Sequence, residues 1–407
     1  MNNKLKINGI ILITIFNLFF PVLGFFVNVL YYFIFKLSSR QKIVIIFNMA
    51  FSFAFLGFLY VRVNETGDVY RYALSLYYYS YSLLNGRENI IENIYEAFYP
   101  VWYTILYIAS KLNLSIQAIN FLAGFTIYFS LLYIIYQLDK KYKQQKIDKL
   151  LIMKIFLFMS FVAVFSSYKT LWAFSLLFLG LYFLMNNQKK GYIFVFLGIG
   201  IHPVAWIPFS IYMISKIVKF NIIYLYISII FSFVFKNFIG IFNNFLDIPF
   251  IGSKVNTYIY GQWSQYRFHE NSEYIRFFLL VLLILFIMNV IVFKYINFKN
   301  NCDNFLRKYN NFILWYFAVA MLSISFRTIE LRLMLDGFIF FIPLFYQVFM
   351  YRKIYKKNIL SLFLLIIWFI LIDIRLFNIY NNAYQIGDGL PYNIFASPII
   401  YILKGNI

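Results

Sequence analysis

Four short stretches of this chain gather ionisable side chains that could act on an anionic, sugar-bearing substrate. The first is Arg62-Val63-Asn64-Glu65-Thr66-Gly67-Asp68-Val69-Tyr70-Arg71-Tyr72. Two guanidiniums beside a carboxylate suit a pyrophosphate and a sugar hydroxyl together, because the planar Arg fork binds oxygens in pairs. An interfacial helix start with solvated charges would carry the same residues. The second stretch, Ser166-Ser167-Tyr168-Lys169-Thr170, places one cation at the head of an apolar run. That cation either snorkels to an interface or faces an anionic headgroup. The third is His202-Pro203, an ionisable pair inside an apolar run, where the default reading is functional and the alternative is a packed neutral histidine. The fourth, Phe326 to Asp336, holds Arg327, Glu330, Arg332 and Asp336. Arg332 and Asp336 could pair four apart on a helix, or the two arginines could meet a diphosphate. Asp373 and Arg375 form a weaker pair of the same kind.

Other chemistries lack their residues. There is no P-loop, GxSxG, HExxH or Gly-rich dinucleotide fingerprint, so neither ATP hydrolysis nor a soluble cofactor is expected. Cys302 is the single cysteine, which forbids an internal disulfide and a cysteine metal cage. With His202 and His269 the only histidines, no metal site is expected either. Any substrate must therefore arrive already activated.

The elements that hold these stretches are set by composition. The chain has 407 residues, 63% hydrophobic and only 13% charged, with 53 Phe, 37 Tyr and 6 Trp. A soluble fold cannot hide that much apolar side chain under a polar shell, and disorder needs the opposite composition. The apolar runs are long and nearly charge-free rather than short and alternating, which excludes an outer-membrane barrel. The expected fold is all-α: a polytopic integral membrane protein, one membrane domain over 1–407, with about 10–12 transmembrane helices. The net charge of +21 collects in short loops, where it sets topology and does not call for nucleic acid.

Candidate spans are 9–35, 43–61, 98–112, 115–137, 151–166, 170–186, 192–214, 222–240, 275–293, 311–326, 333–351 and 359–378. The run from Gly9 to Phe35 is too long for a cleavable signal and lacks a small-residue cleavage site. Basic loops at Lys36/Arg40/Lys42, 140–149, Lys189/Lys190, 294–308 and 352–357 belong in the cytosol. Loops 62–97, 241–274, 327–332 and 379–407 then face outward. The 62–97 loop mixes charges of both signs with Tyr77, Tyr78, Tyr79 and Tyr81, a surface suited to sugars and headgroups; 241–274 holds Trp263, Tyr266, Arg267, His269, Glu270 and Glu273. Parity fails twice under this scheme. The weakest crossings, short 98–112 and Pro-broken 192–214, are therefore read as re-entrant, interfacial or broken, which points to a cavity; the rival reading leaves some lysines outside.

At these residues the chain resembles the EpsG-like branch of the Wzy-type polysaccharide repeat-unit polymerases. That family carries an R-V-N-x-G-T-D-Y-x-x-Y-like stretch. Arg62, Val63, Asn64, Asp68 and Tyr72 fit it, while the Gly is displaced to Gly67 and Val69 replaces the Tyr. Glu96-Ala97-Phe98-Tyr99 resembles its E-P-G-[FY] element without the Pro and Gly. Ser166 to Ala173 loosely matches N-x-x-R-Q-x-[IL]-A, with Lys169 where Arg is usual. Ile201-His202-Pro203-Val204-Ala205 resembles [LF]-H-x-[ST]-A, with Val204 replacing the hydroxyl residue. The Arg-to-Lys change matters most, since a bidentate phosphate contact becomes a point charge.

The resemblance implies a GT-C-like glycosyltransferase in a bacterial cytoplasmic membrane. Such an enzyme moves a growing glycan from undecaprenyl diphosphate onto another lipid-linked oligosaccharide repeat unit, at the outer face, with a flippase and a chain-length regulator as partners. Under that reading Arg62, Arg71, Lys169, Arg327 and Arg332 meet the departing diphosphate, where charge develops. Tyr72, Glu96 and Glu330 complete the substrate contacts. Asp68, then His202, is the expected base for the acceptor hydroxyl. An O-antigen ligase shares this architecture and differs in acceptor. A flippase of lipid-linked oligosaccharide would show matched halves, and no internal repeat is found.

Overall fold

The structure is a computed structural model. It describes residues 3–58, 60–62, 68–141, 164, 168–235, 247, 249–260, 304–323, 327–334, 336–343 and 384–386. The helices are α1 (Asn3–Phe19), α2 (Pro21–Ile34), α3 (Ser39–Phe58), α4 (Asp68–Leu84), α5 (Ile94–Ala97), α6 (Pro100–Lys111), α7 (Ile116–Lys141), α8 (Tyr168–Met185), α9 (Gly191–Ile201), α10 (Trp206–Ile217), α11 (Ile222–Phe235), α12 (Pro249–Val255), α13 (Asn304–Leu322) and α14 (Arg327–Met334). Strands β1 (Tyr60–Arg62) and β2 (Tyr384–Ile386) form an antiparallel ribbon. Of the described helices, α7 and α8 are both long and apolar enough to cross a membrane, and several shorter helices are equally apolar. The chain is a helical membrane protein. Candidate spans 275–293 and 359–378, nearly all of 151–166 and nearly half of 333–351 lie outside the described residues.

The run 9–35 is not one span. Pro21 cannot donate to the preceding turn, and the helix breaks at Phe20, whose backbone leaves helical angles (φ −132°, ψ 74°). The chain then folds back, so that Ile10 and Ile13 of α1 share a core with Val29 and Tyr31 of α2. Asn28 Nδ2 donates to Asn17 Oδ1 at 3.1 Å across this hairpin. Helix α3 joins as a third member: Asn48 Nδ2 donates to Thr14 Oγ1 and Asn28 Oδ1, Asn17 Nδ2 donates to the Asn48 carbonyl, and Ser52 Oγ donates to Asn17 Oδ1. Apolar burial drives no preference between helices in lipid, so such polar contacts do the joining.

Helix α7 lies antiparallel against α3. Tyr136 Oη donates to the Ser39 carbonyl near one end, Lys42 reaches Asp139 at 3.5 Å, and Phe51 meets Phe121 nearer the other end. The described residues gather in two compact units. One holds the chain through Gly180 together with Ile193–Pro203 and β2; the other holds Leu181–Tyr192 and the chain from Val204 through Asp336–Phe341. In the second unit α13 packs on α10 and α11, where Asn311 Nδ2 and Trp315 Nε1 both donate to the Val218 carbonyl.

Candidate functional site

Expected span 98–112 resolves into α6, whose twelve residues reach only about 18 Å. Its start is fixed by Pro100 at the first helical position, preceded by Tyr99. Expected span 192–214 is broken where the sequence suggested: α9 ends at Ile201, His202 N donates to the Gly198 carbonyl, and a 3-10 turn over Pro203–Ala205 leads to α10.

The first interruption meets the first turn of α8, and the second reaches the first through Tyr99. The Lys169 ammonium sits 4.2 Å from the centre of the Tyr99 ring and 4.3 Å from that of Trp102. Tyr99 in turn meets the His202 imidazole edge-on, with centroids 5.6 Å apart. Tyr72 of α4 touches Trp102 at 5.3 Å and Tyr168 at 5.0 Å. Tyr99, Trp102 and Tyr168 are buried, while Tyr72, Lys169 and His202 are half-buried. A lysine in a helix's first turn faces the positive end of the peptide dipoles. The two aromatic faces offset that repulsion, since each is worth up to about 2 kcal/mol where water is excluded. The site combines fixed positive potential with aromatic walls.

Two glycines deliver the histidine. A Cβ at Gly198 would lie 2.6 Å from the Ala173 carbonyl oxygen, and one at Gly200 would lie 2.5 Å from Val101 Cγ2. Helix α9 can therefore press against α8 on one side and α6 on the other. Gly198-Ile199-Gly200 just before His202 is a signal that sequence reasoning passed over.

The remaining expected residues fall as follows. Arg62 closes β1 opposite Tyr384, which joins the 62–97 and 379–407 segments. Asp68 opens α4; the side chains of both lie outside the described residues. Arg71 is exposed on α4. Arg327, Glu330 and Arg332 all lie on α14 in the second unit, and only the Arg332 side chain is described, half-buried. Helix α14 runs to Met334, and Asp336 opens a 3-10 turn. Asp373, Arg375 and the aromatic and charged residues at 263–273 lie outside the described residues.

Glu96 is placed differently from the others. Its Oε2 accepts from Arg87 Nη2 at 2.6 Å and from the Glu92 backbone N–H at 2.8 Å, while its own N–H donates to Asn93 Oδ1, the cap of α5. Arg87 also donates to the Asn89 and Ile90 carbonyls and stacks 4.1 Å over the Tyr79 ring. Burial opposes the charge on Arg87, but the hydrogen-bonded Glu96, with Tyr79 and Glu92, more than offsets it and holds the guanidinium above its ordinary pKa. This knot fastens 85–97 to α4, and Arg87 was not singled out by its sequence context.

No curated protein and no solved structure matches the chain. The EpsG family profile matches residues 62–393, which takes in every stretch assembled at Lys169 and leaves out the asparagine-linked hairpin. By that match the chain belongs to the EpsG family, membrane proteins of polysaccharide biosynthesis.

Proposed function

We propose that the protein is a glycosyltransferase that polymerises oligosaccharide repeat units carried on undecaprenyl diphosphate, at the outer face of the cytoplasmic membrane. The observation that carries this reading is the Lys169 ammonium held between Tyr99 and Trp102, with His202 and Tyr72 in the same shell. In the reaction, the bond between the donor sugar's anomeric carbon and the diphosphate oxygen breaks. A bond forms from that carbon to an acceptor hydroxyl, whose proton passes to a base. The leaving group departs as a diphosphate anion, and a cation fixed beforehand stabilises it without reorganisation. Lys169 supplies that charge, and Tyr72 and His202, half-buried like Lys169, are the neighbours that keep some exposure. Asp68, at the head of the helix that carries Tyr72, is the proposed base, with His202 as the second choice.

The test is complementation of a deletion strain, read as the size ladder of surface glycan on a gel. Lys169→Ala and Asp68→Asn should each leave a single repeat unit and no ladder, with protein still inserted in the membrane. Arg327→Ala, Glu330→Gln and Arg332→Ala, run in the same assay, decide whether α14 contributes. A full ladder from Lys169→Ala overturns the reading. Loss of the single unit as well points instead to a ligase or flippase.

A further inference from the structure

Helices α4 and α6 have no place as membrane crossings, and the residues around them say where they lie. Helix α7 runs 26 mostly apolar residues long and ends on Lys140 and Lys141, whose charge marks the cytosolic end. Its first residue, Ile116, is therefore at the opposite surface, and only Leu112–Ser115 separate it from the end of α6. Helix α8 likewise ends toward Lys189 and Lys190, which puts Tyr168 and Lys169 at that same opposite surface, about 27 Å away. Lys169 touches Trp102 in the first turn of α6. Helix α6 thus begins and ends at one membrane surface. Helix α4 runs parallel to it, because Tyr72 meets Trp102 and Ser80 Oγ donates to Ser110 Oγ with the same sequence offset.

The inner face of α4, buried Leu76 and Tyr79 with half-buried Ser80, is spent on α6 and on the Arg87 knot. Its opposite face is exposed: Tyr77 64%, Tyr78 61%, Tyr81 59% and Leu84 86%. No charged residue falls between Arg71 and Arg87. A phenol ring with one polar tip matches the headgroup layer, apolar inward and wet outward. Leu84, with exposed Ile91 and Ile94 in the segment tied to α4, favours lipid over a glycan.

We propose that α4 and α6 lie flat in the outer membrane–water interface, with the Tyr77/Tyr78/Tyr81/Leu84 face seated among phospholipid headgroups. The seating rests on geometry and not on the reaction proposed above. It would hold the Lys169 site at headgroup depth, the level of a lipid-linked phosphate.

The test places single cysteines, Tyr81→Cys and Leu84→Cys, in a Cys302→Ser background of the full chain. Each is labelled with bimane and reconstituted in phosphatidylethanolamine/phosphatidylglycerol vesicles. Lipids brominated near the carbonyl end should remove roughly half the emission, while lipids brominated at the chain terminus and aqueous iodide remove little. A label quenched by iodide and untouched by either lipid overturns the proposal and leaves the face free for a glycan. Dominant quenching from the chain terminus overturns it in favour of a buried helix. Neither result depends on polymer formation, so the reaction can fail while the seating stands.

Discussion

Lys169, in the first turn of α8, and His202, in the break between α9 and α10, share one neighbour, Tyr99: the ammonium rides on one part of its ring and the imidazole meets it edge-on. Tyr99 therefore sets the spacing between the cation and the imidazole described at this site, and both of these contacts are made by its ring. Tyr99→Phe should keep the glycan ladder near wild type. Tyr99→Ala removes one aromatic face, about 1.4 kcal/mol or a tenfold loss of polymer output. Quantified ladder intensity at matched protein level separates the two, and equal loss in both variants would show that the hydroxyl matters instead.

Arg87 and Glu96 are both almost fully enclosed, their side chains 8% exposed. Breaking such a pair from one side leaves an uncompensated charge and costs about 3–5 kcal/mol. Glu96→Gln or Arg87→Met should lower the melting temperature of detergent-extracted protein, and the double variant Arg87→Met/Glu96→Leu should regain part of it. If Glu96 instead contacts substrate as the family resemblance implies, Glu96→Gln would melt normally and lose the ladder.

Part of this arrangement was legible in the sequence and part was not. Lys169 and His202 stood out because an ionisable group in an apolar run is costly, and Pro203 announced the break that α9 and α10 show. Tyr99 stood out only as the aromatic of the E-P-G-[FY] resemblance, and Trp102 not at all, since aromatics make up 24% of the chain and only the fold brings these two to the lysine. The hairpin at Phe20 was hidden because its two helices and its turn are all apolar. A hydropathy profile records no reversal when the run stays apolar through the turn. Arg87 and Glu96 lie nine positions apart, one in irregular chain and the other in the short helix α5, so no single helical or strand period relates them.

Gly198 and Gly200 set how closely α9 approaches its neighbours. At Gly198 the obstruction is the Ala173 backbone carbonyl, which cannot swing aside as a side chain can. Gly198→Val should therefore displace α9, cost about 1–3 kcal/mol as overpacking does, and draw His202 away from Tyr99. Gly200→Ala meets the Val101 side chain and should be milder. The measurement is ladder intensity beside melting temperature; unchanged values for Gly198→Val would mean that α9 does not need this contact.

The asparagine-linked bundle makes a prediction about sidedness. A single span over 9–35 would put the N-terminus across the membrane from Lys36, Arg40 and Lys42. The hairpin returns the chain instead, so residues near Lys4 and Lys6 end on the same side as that basic loop, which suits the charge rule at both ends. A fluorescent protein fused before Met1 should fold and glow, as it does only in the cytosol, and an alkaline phosphatase fused there should stay inactive. Asn48→Ala removes the donor to both Thr14 Oγ1 and Asn28 Oδ1. Polar contacts between membrane helices are worth about 0.6–1.7 kcal/mol each, so this variant should loosen the hairpin and raise proteolysis near Phe20 while the fusion keeps its side. A phosphatase-active N-terminus would restore the single span and remove the hairpin.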